Sequence, residues 1–107
     1  MLNDVTFVEA ARVLAERMMK EKATPSERLT LAFRLAAARS PRPAELKVLL
    51  AGLDHHQRQY RADPDGARAL VSAGEAPRDE ALDVCELAAY TAVANLLLNL
   101  DEVITKE

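Results

Sequence analysis

The chain has few of the residues from which disulfide-bonded folds and β-sheets are built. It contains one cysteine, three glycines and no tryptophan among its 107 residues, so no internal disulfide can form. Its aromatic residues are two phenylalanines and two tyrosines, which leaves the core to leucine, valine, alanine and methionine. Such a core suits packed helices better than sheets, which favour β-branched and aromatic side chains.

Long hydrophobic runs are also missing from the chain. No apolar stretch reaches the about 18 residues that a membrane-spanning helix needs, and Met1 leads into an amphipathic pattern rather than a signal peptide. Half of the residues are nevertheless apolar, a proportion typical of a globular domain. We therefore expect residues 1–107 to form a single soluble helical domain without a membrane span.

Charge is distributed unevenly along the sequence. Residues 1–61 carry eleven basic and seven acidic residues, a formal charge of +4, whereas residues 62–107 carry three and ten, a charge of −7. The basic residues are interleaved with acidic ones, so we interpret this asymmetry as complementary packing of two halves. A basic surface for an anionic partner is the alternative interpretation.

Capping residues mark the starts of most of the predicted helices. Thr24 is followed by Pro25 and Glu27, which together form a capping box with proline at the first helical position. Asp63 and Asp83 are equivalent cap residues farther along the chain. With the apolar spacing, these signals predict an all-α fold, a single compact bundle of about five helices over residues 5–21, 25–38, 43–61, 64–73 and 83–104.

The last predicted helix is apolar around nearly its whole circumference. Because such a helix is normally surrounded by protein, we expect it to be the central helix of the bundle. Asn95 and Asn99 are four residues apart on one face of it. One or both are expected to be buried, where an amide without a partner costs about 1–3 kcal/mol.

The sequence contains three arrangements of potentially reactive residues, and none forms a complete catalytic or metal site. His55 and His56 are adjacent, so they point about 100° apart on a helix and do not converge on one metal ion. Cys85 has no base near it in sequence, and we interpret it as a packing residue. Asp101 and Glu102 are neighbours that diverge on a helix, unlike paired catalytic acids. We expect no catalytic residue, metal or cofactor in this chain.

The sequence disfavours a helix-turn-helix motif for nucleic acid. The second and third predicted helices are joined by a short turn containing Arg39 and Arg42. A recognition helix should carry basic and amide groups in its first turns, but residues 43–50 read PAELKVLL. The negative net charge also opposes nucleic-acid binding.

Five segments together resemble the C-terminal part of the domain of unknown function 1553. They are LNDVTFVEAAR at 2–12, residues 33–41 from FRL through RSP, PAEL at 43–46, GEAP at 74–77 and residues 86–102 from ELAAYT on to LLNLDE. Each is weak alone, but the ordered set spans nearly the whole chain. That family commonly has proline, threonine and tryptophan where this sequence has Val5, Arg42 and Tyr90, which are changes of capping or packing.

The resemblance implies a context rather than a mechanism. Domains of this bacterial, planctomycete-type family belong to large proteins that are expected to be exported, often with a cytochrome-c-like haem domain. The resemblance therefore implies that this chain is a C-terminal piece of a larger protein and that its partners are other domains of the same polypeptide. The resemblance assigns no functional role to any residue of this chain. We expect a non-catalytic structural or interaction module, with self-association if the piece exposes an apolar face.

The polar residues of the matching segments suggest a structural role. They are Asp4, Arg34, Arg39, Asn99, Asp101 and Glu102. We predict a polar clasp in which Arg34 or Arg39 pairs with Asp4, Asp101 or Glu102, because a guanidinium group binds a carboxylate through two hydrogen bonds. The alternative left open is that these residues complete an active or binding site whose other members lie in preceding domains.

Overall fold

A computed structural model describes the backbone of residues 5–72 and 79–105 and the side chains of residues 8–72 and 79–99, and the backbone it describes forms five helices. They are α1 (Val5–Glu21), α2 (Pro25–Ala37), α3 (Pro43–Ala62), α4 (Pro64–Val71) and α5 (Val84–Thr105). The all-α prediction is confirmed, and the predicted helix ends agree with these bounds to within two residues. No helix among the described residues is both long enough and apolar enough to span a membrane.

The starts of α2, α4 and α5 are stabilised by the cap residues predicted from the sequence. The Thr24 hydroxyl accepts from the backbone N–H of Glu27 at 3.2 Å, and the Glu27 carboxylate accepts from the N–H of Thr24 at 3.3 Å. The carboxylates of Asp63 and Asp83 accept from backbone N–H groups three residues on, at 3.1 and 2.9 Å. Each bond satisfies an amide that has no partner inside its helix.

Helix α5 is the central element of the bundle. It packs against each of the other four helices. Five consecutive residues, 87–91, are buried, and because successive helical residues are turned by about 100°, these five cover the full circumference. The buried residues of α5 are Leu87, Ala88, Ala89, Tyr90, Thr91, Val93, Ala94 and Leu97.

Helices α1 and α5 run in opposite directions. The carbonyl of Met19, near the end of α1, and the hydroxyl of Tyr90, in the second turn of α5, both accept from the Arg28 side chain. The backbone N–H of Asp79, just before α5, donates to Glu16 in the second half of α1. The end of α1 therefore lies beside the start of α5, and the contacts of Arg28 and Asp79 described below lie at this end of the bundle.

Candidate functional site

Arg28, in the first turn of α2, is a polar side chain whose contacts join three helices. Its Nη1 atom donates to the Tyr90 hydroxyl at 3.3 Å and its Nη2 atom to the carbonyl of Met19 at 3.3 Å. Its Nε atom donates to the carbonyl of Lys22 at 2.9 Å. The guanidinium carbon lies 5.4 Å from the centre of the Tyr90 ring, within cation–π distance.

These contacts satisfy groups that would otherwise be left without partners. Tyr90 is fully buried, and a buried phenol needs a partner for its hydroxyl. Met19 belongs to the last turn of α1, where helix carbonyls have no partner within the helix and the dipole is negative. A cation at this position complements both features. Arg28 therefore connects α1, α2 and α5, and we call this set of contacts the Arg28 tie.

A carboxylate of α5 adds to the Arg28 tie. Glu86 Oε1 lies 3.8 Å from Arg28 Nη1, and the arginine side chain is 16% exposed while the glutamate is 36% exposed. This distance is too long for a hydrogen bond, so the contact is an ion pair. Because water partly screens this ion pair, the hydrogen bonds to Tyr90 and to α1 contribute most of the stabilising free energy of the Arg28 tie.

A second polar contact closes the turn between α2 and α3. Arg39 Nη1 and Nη2 donate to the two carboxylate oxygens of Glu45, each at 2.9 Å. The same carboxylate accepts from the backbone N–H of Arg42 at 2.8 Å, and the Arg39 guanidinium carbon lies 4.9 Å from the Phe33 ring centre. The Arg39 hydrogen bond, followed by that from Arg42, lowers the pKa of Glu45 to about 2.

The third contact joins α1 to the segment that precedes α5. Lys20 Nζ lies 2.7 Å from Asp79 Oδ2, and the backbone N–H of Asp79 donates to Glu16 at 2.9 Å. Glu16 also lies 3.5 Å from Nη1 of Arg12, a side chain that is 1% exposed. The hydrogen bond from Lys20, followed by that from the Ala81 N–H, lowers the pKa of Asp79.

The residues of the polar clasp predicted from the sequence have different environments in the structure. Arg39 is paired with Glu45, whereas Arg34 is exposed on the outer face of α2. The side chains of Asp4, Asp101 and Glu102 lie outside the described residues, so their pairing stays a prediction. Asn99 is partly buried, and its Oδ1 atom is buried without a hydrogen-bond partner among the described residues, as is that of Asn95.

The other sequence candidates lie apart from these contacts. Within residues 8–72 and 79–99, no group of three or more His, Cys, Asp and Glu side chains is placed to hold a metal ion. His56 stacks with Tyr60 at a ring-centre distance of 6.3 Å. The Cys85 thiol donates to the Tyr60 carbonyl at 3.4 Å, which joins the end of α3 to the start of α5.

The outer face of α2 forms a shallow groove. Its volume is about 540 Å³, and the described residues that line it are Lys22, Ser26, Glu27, Thr30, Leu31, Arg34 and Leu35. Leu35 is 48% exposed, which is high for a leucine of this bundle. The groove therefore combines two leucines, two basic side chains, one carboxylate and two hydroxyls on the side of α2 that faces away from the core.

The sequence interpretation missed the Arg28 tie, although two signals point to it. Tyr90 is a polar aromatic residue within an otherwise apolar stretch, so its hydroxyl required a distant partner. Arg28 immediately precedes the buried Leu29 and follows the turn between two helices. An arginine at such a position is close to the carbonyls that end the preceding helix.

The fold and these contacts define a small all-α module whose converging polar groups connect helices. Residues 1–53 match the model of the family described as PSD1, protein of unknown function (DUF1553). The match covers just under half of the chain, so it is residues 1–53 that are similar to the DUF1553 family. The match ends within α3, so α4 and α5 lie outside it. No curated protein and no solved structure matches the chain.

Proposed function

We propose that this chain is a non-catalytic structural and interaction module of a larger polypeptide. The observation that carries the proposal is the Arg28 tie, in which one guanidinium group bonds to three different parts of the chain. A group engaged in this way positions helices relative to one another. It is not presented to a substrate.

The shifted pKa values support a structural role for the other polar contacts. A catalytic acid or base works best with a pKa near the working pH, and active sites raise carboxyl pKa values to reach it. The pKa values of Glu45 and Asp79 are shifted in the opposite direction, each mainly by a hydrogen bond from a cation, Arg39 or Lys20. Both carboxylates therefore stay ionised at neutral pH and act as ion-pair partners.

The interaction part of the proposal is supported by the outer face of α2. This face exposes Leu35 and lines a groove, although α2 is held firmly from behind by the Arg28 tie. A rigid helix with apolar groups facing outward is suited to contact with another domain. The family resemblance is the ground for placing that domain in the same large, exported polypeptide.

Cross-linking of the natural gene product tests this proposal. A lysine-reactive cross-linker followed by mass spectrometry should connect Lys22, beside the groove, to a companion domain. Lys47 is exposed on α3 and outside the groove, so it is the matched internal control. A natural product that shows no cross-link between this module and any other domain would contradict the proposal.

A further inference from the structure

The groove on α2 has the shape that receives another helix. Its walls are two ridges of side chains spaced four residues apart, one formed by positions 26, 30 and 34 and the other by positions 27, 31 and 35. Ridges of this spacing leave a groove into which the ridge of a second helix packs, at a crossing angle of about −50° or +20°. The groove volume of about 540 Å³ accommodates several side chains of such a partner.

The hydrogen-bonding groups in the middle of the groove are already engaged. The Glu27 carboxylate accepts from the backbone N–H and the hydroxyl of Thr24, at 3.3 and 3.0 Å. The Thr30 hydroxyl donates to the carbonyl of Ser26 at 2.8 Å. What the groove still offers to a partner is therefore its leucine side chains and a net positive charge, since the two cations Lys22 and Arg34 outnumber the one carboxylate, Glu27.

The charges define the partner's chemistry. Lys22 and Arg34 lie at opposite ends of the groove, and neither forms an ion pair with another described residue. Leu31 lies between these cations along the chain, and Leu35 lies directly after Arg34. The complementary surface is a helix with an apolar stripe of i, i+3/i+4 residues and carboxylates opposite Lys22 and Arg34.

From this geometry we propose that the outer face of α2 docks an acidic amphipathic helix of a companion domain. The inference rests on the proposed function, since it names the surface and the partner chemistry by which the module would interact. The two cations are separated by twelve residues of chain, too far for one small anion to contact both. An extended partner with two acidic positions satisfies both cations while its apolar stripe covers the leucines.

Carbodiimide cross-linking of the natural gene product is the test, because this reagent joins an amine directly to a carboxylate. We expect a bond between Lys22 and an Asp or Glu of a companion domain. In an Arg34→Glu/Leu35→Ser variant, the yield of this product should fall by about tenfold or more, since a like charge replaces an attractive one. Both positions are exposed, so the fold is expected to persist, and circular dichroism verifies it.

A charge-matched control variant and an experiment with isotopically mixed protein distinguish the possible partners of Lys22. Lys47→Glu changes the charge by the same amount outside the groove and should leave the Lys22 product unchanged. If isotopically mixed protein shows that Lys22 is joined to a second copy, the companion-domain partner is wrong. If lysine–lysine links to a companion domain form but Lys22 gives no carboxylate product, the docking surface is wrong while the proposed function stands. If no interdomain link of either kind forms, the proposed function itself fails.

Discussion

Removal of the Arg28 guanidinium group should destabilise the whole bundle. In Arg28→Met the aliphatic part of the side chain is kept, but the fully buried Tyr90 hydroxyl loses its arginine donor. Leaving a buried hydroxyl without a partner costs about 1–3 kcal/mol. The lost charge-assisted bonds to the carbonyls of Met19 and Lys22 add about 1 kcal/mol after discounting for water, which can reach these carbonyls. We expect a total loss of about 3 kcal/mol in the free energy of unfolding.

A second substitution separates this explanation from a general loss of packing. Tyr90→Phe removes the hydroxyl, so the double variant Arg28→Met/Tyr90→Phe has no orphaned buried group. Because replacing both partners of a hydrogen bond costs less than removing one, the double variant should be more stable than Arg28→Met by about 1 kcal/mol or more. Tyr90→Phe alone should cost under about 1 kcal/mol, since Arg28 keeps its carbonyl partners.

Urea unfolding followed by circular dichroism measures all of these free energies. Arg34→Met is the control, because Arg34 is an exposed arginine of the same helix and should change stability by less than about 0.5 kcal/mol. The reasoning is refuted if Arg28→Met is as mild as this control. It is equally refuted if Tyr90→Phe further destabilises the Arg28→Met variant.

Three other predictions test separate parts of the structure. The pKa of Glu45 is lowered to about 2 in the folded protein by Arg39 and the Arg42 N–H. The ionised carboxylate therefore stabilises the fold above its pKa in the unfolded chain, near 4.5, and this stabilisation is lost as the pH falls to about 2. The difference in melting temperature between wild type and Glu45→Gln should disappear over that pH range. Gly52 lies within α3 with nothing within 4 Å of an added Cβ, so Gly52→Ala should stabilise by about 1 kcal/mol and raise the melting temperature by about 5 °C; a lower melting temperature would contradict this. A chain ending at Leu53, where the family match ends, lacks α5 and should give the circular dichroism spectrum of an unfolded chain; cooperative unfolding would show that α5 is dispensable.

The helices were predictable because their signals are local. Thr24, Asp63 and Asp83 cap the helices that follow them through bonds spanning three residues, and proline at the first helical position adds a second local signal in α2 and α4. The central position of α5 followed from its composition alone, since a helix apolar on all sides must be covered on all sides. Short-range chemistry and hydrophobic pattern therefore account for most of the architecture.

The polar contacts were predicted less well because they depend on distances between helices. Arg28 and Tyr90 are 62 residues apart, and nothing in either local sequence selects the other as a partner. The sequence predicted that Arg34 or Arg39 pairs with the acidic chain ends, which stays a prediction, and it did not predict that the turn after α2 brings Arg39 to Glu45, only six residues on. The burial of the Asn95 and Asn99 oxygens did follow from their spacing on α5. Partner choice, unlike burial, requires the path of the chain.

Hydrogen exchange of Arg28→Met tests most directly the claim that this tie holds the bundle together as a unit. The buried amides of α5 should exchange only through global unfolding. If the tie contributes to global stability, the slowest amides of α1, α2 and α5 should all exchange faster by the same factor, about a hundredfold for about 3 kcal/mol. Faster exchange confined to residues next to Arg28, with unchanged rates along the rest of α5, would contradict the claim.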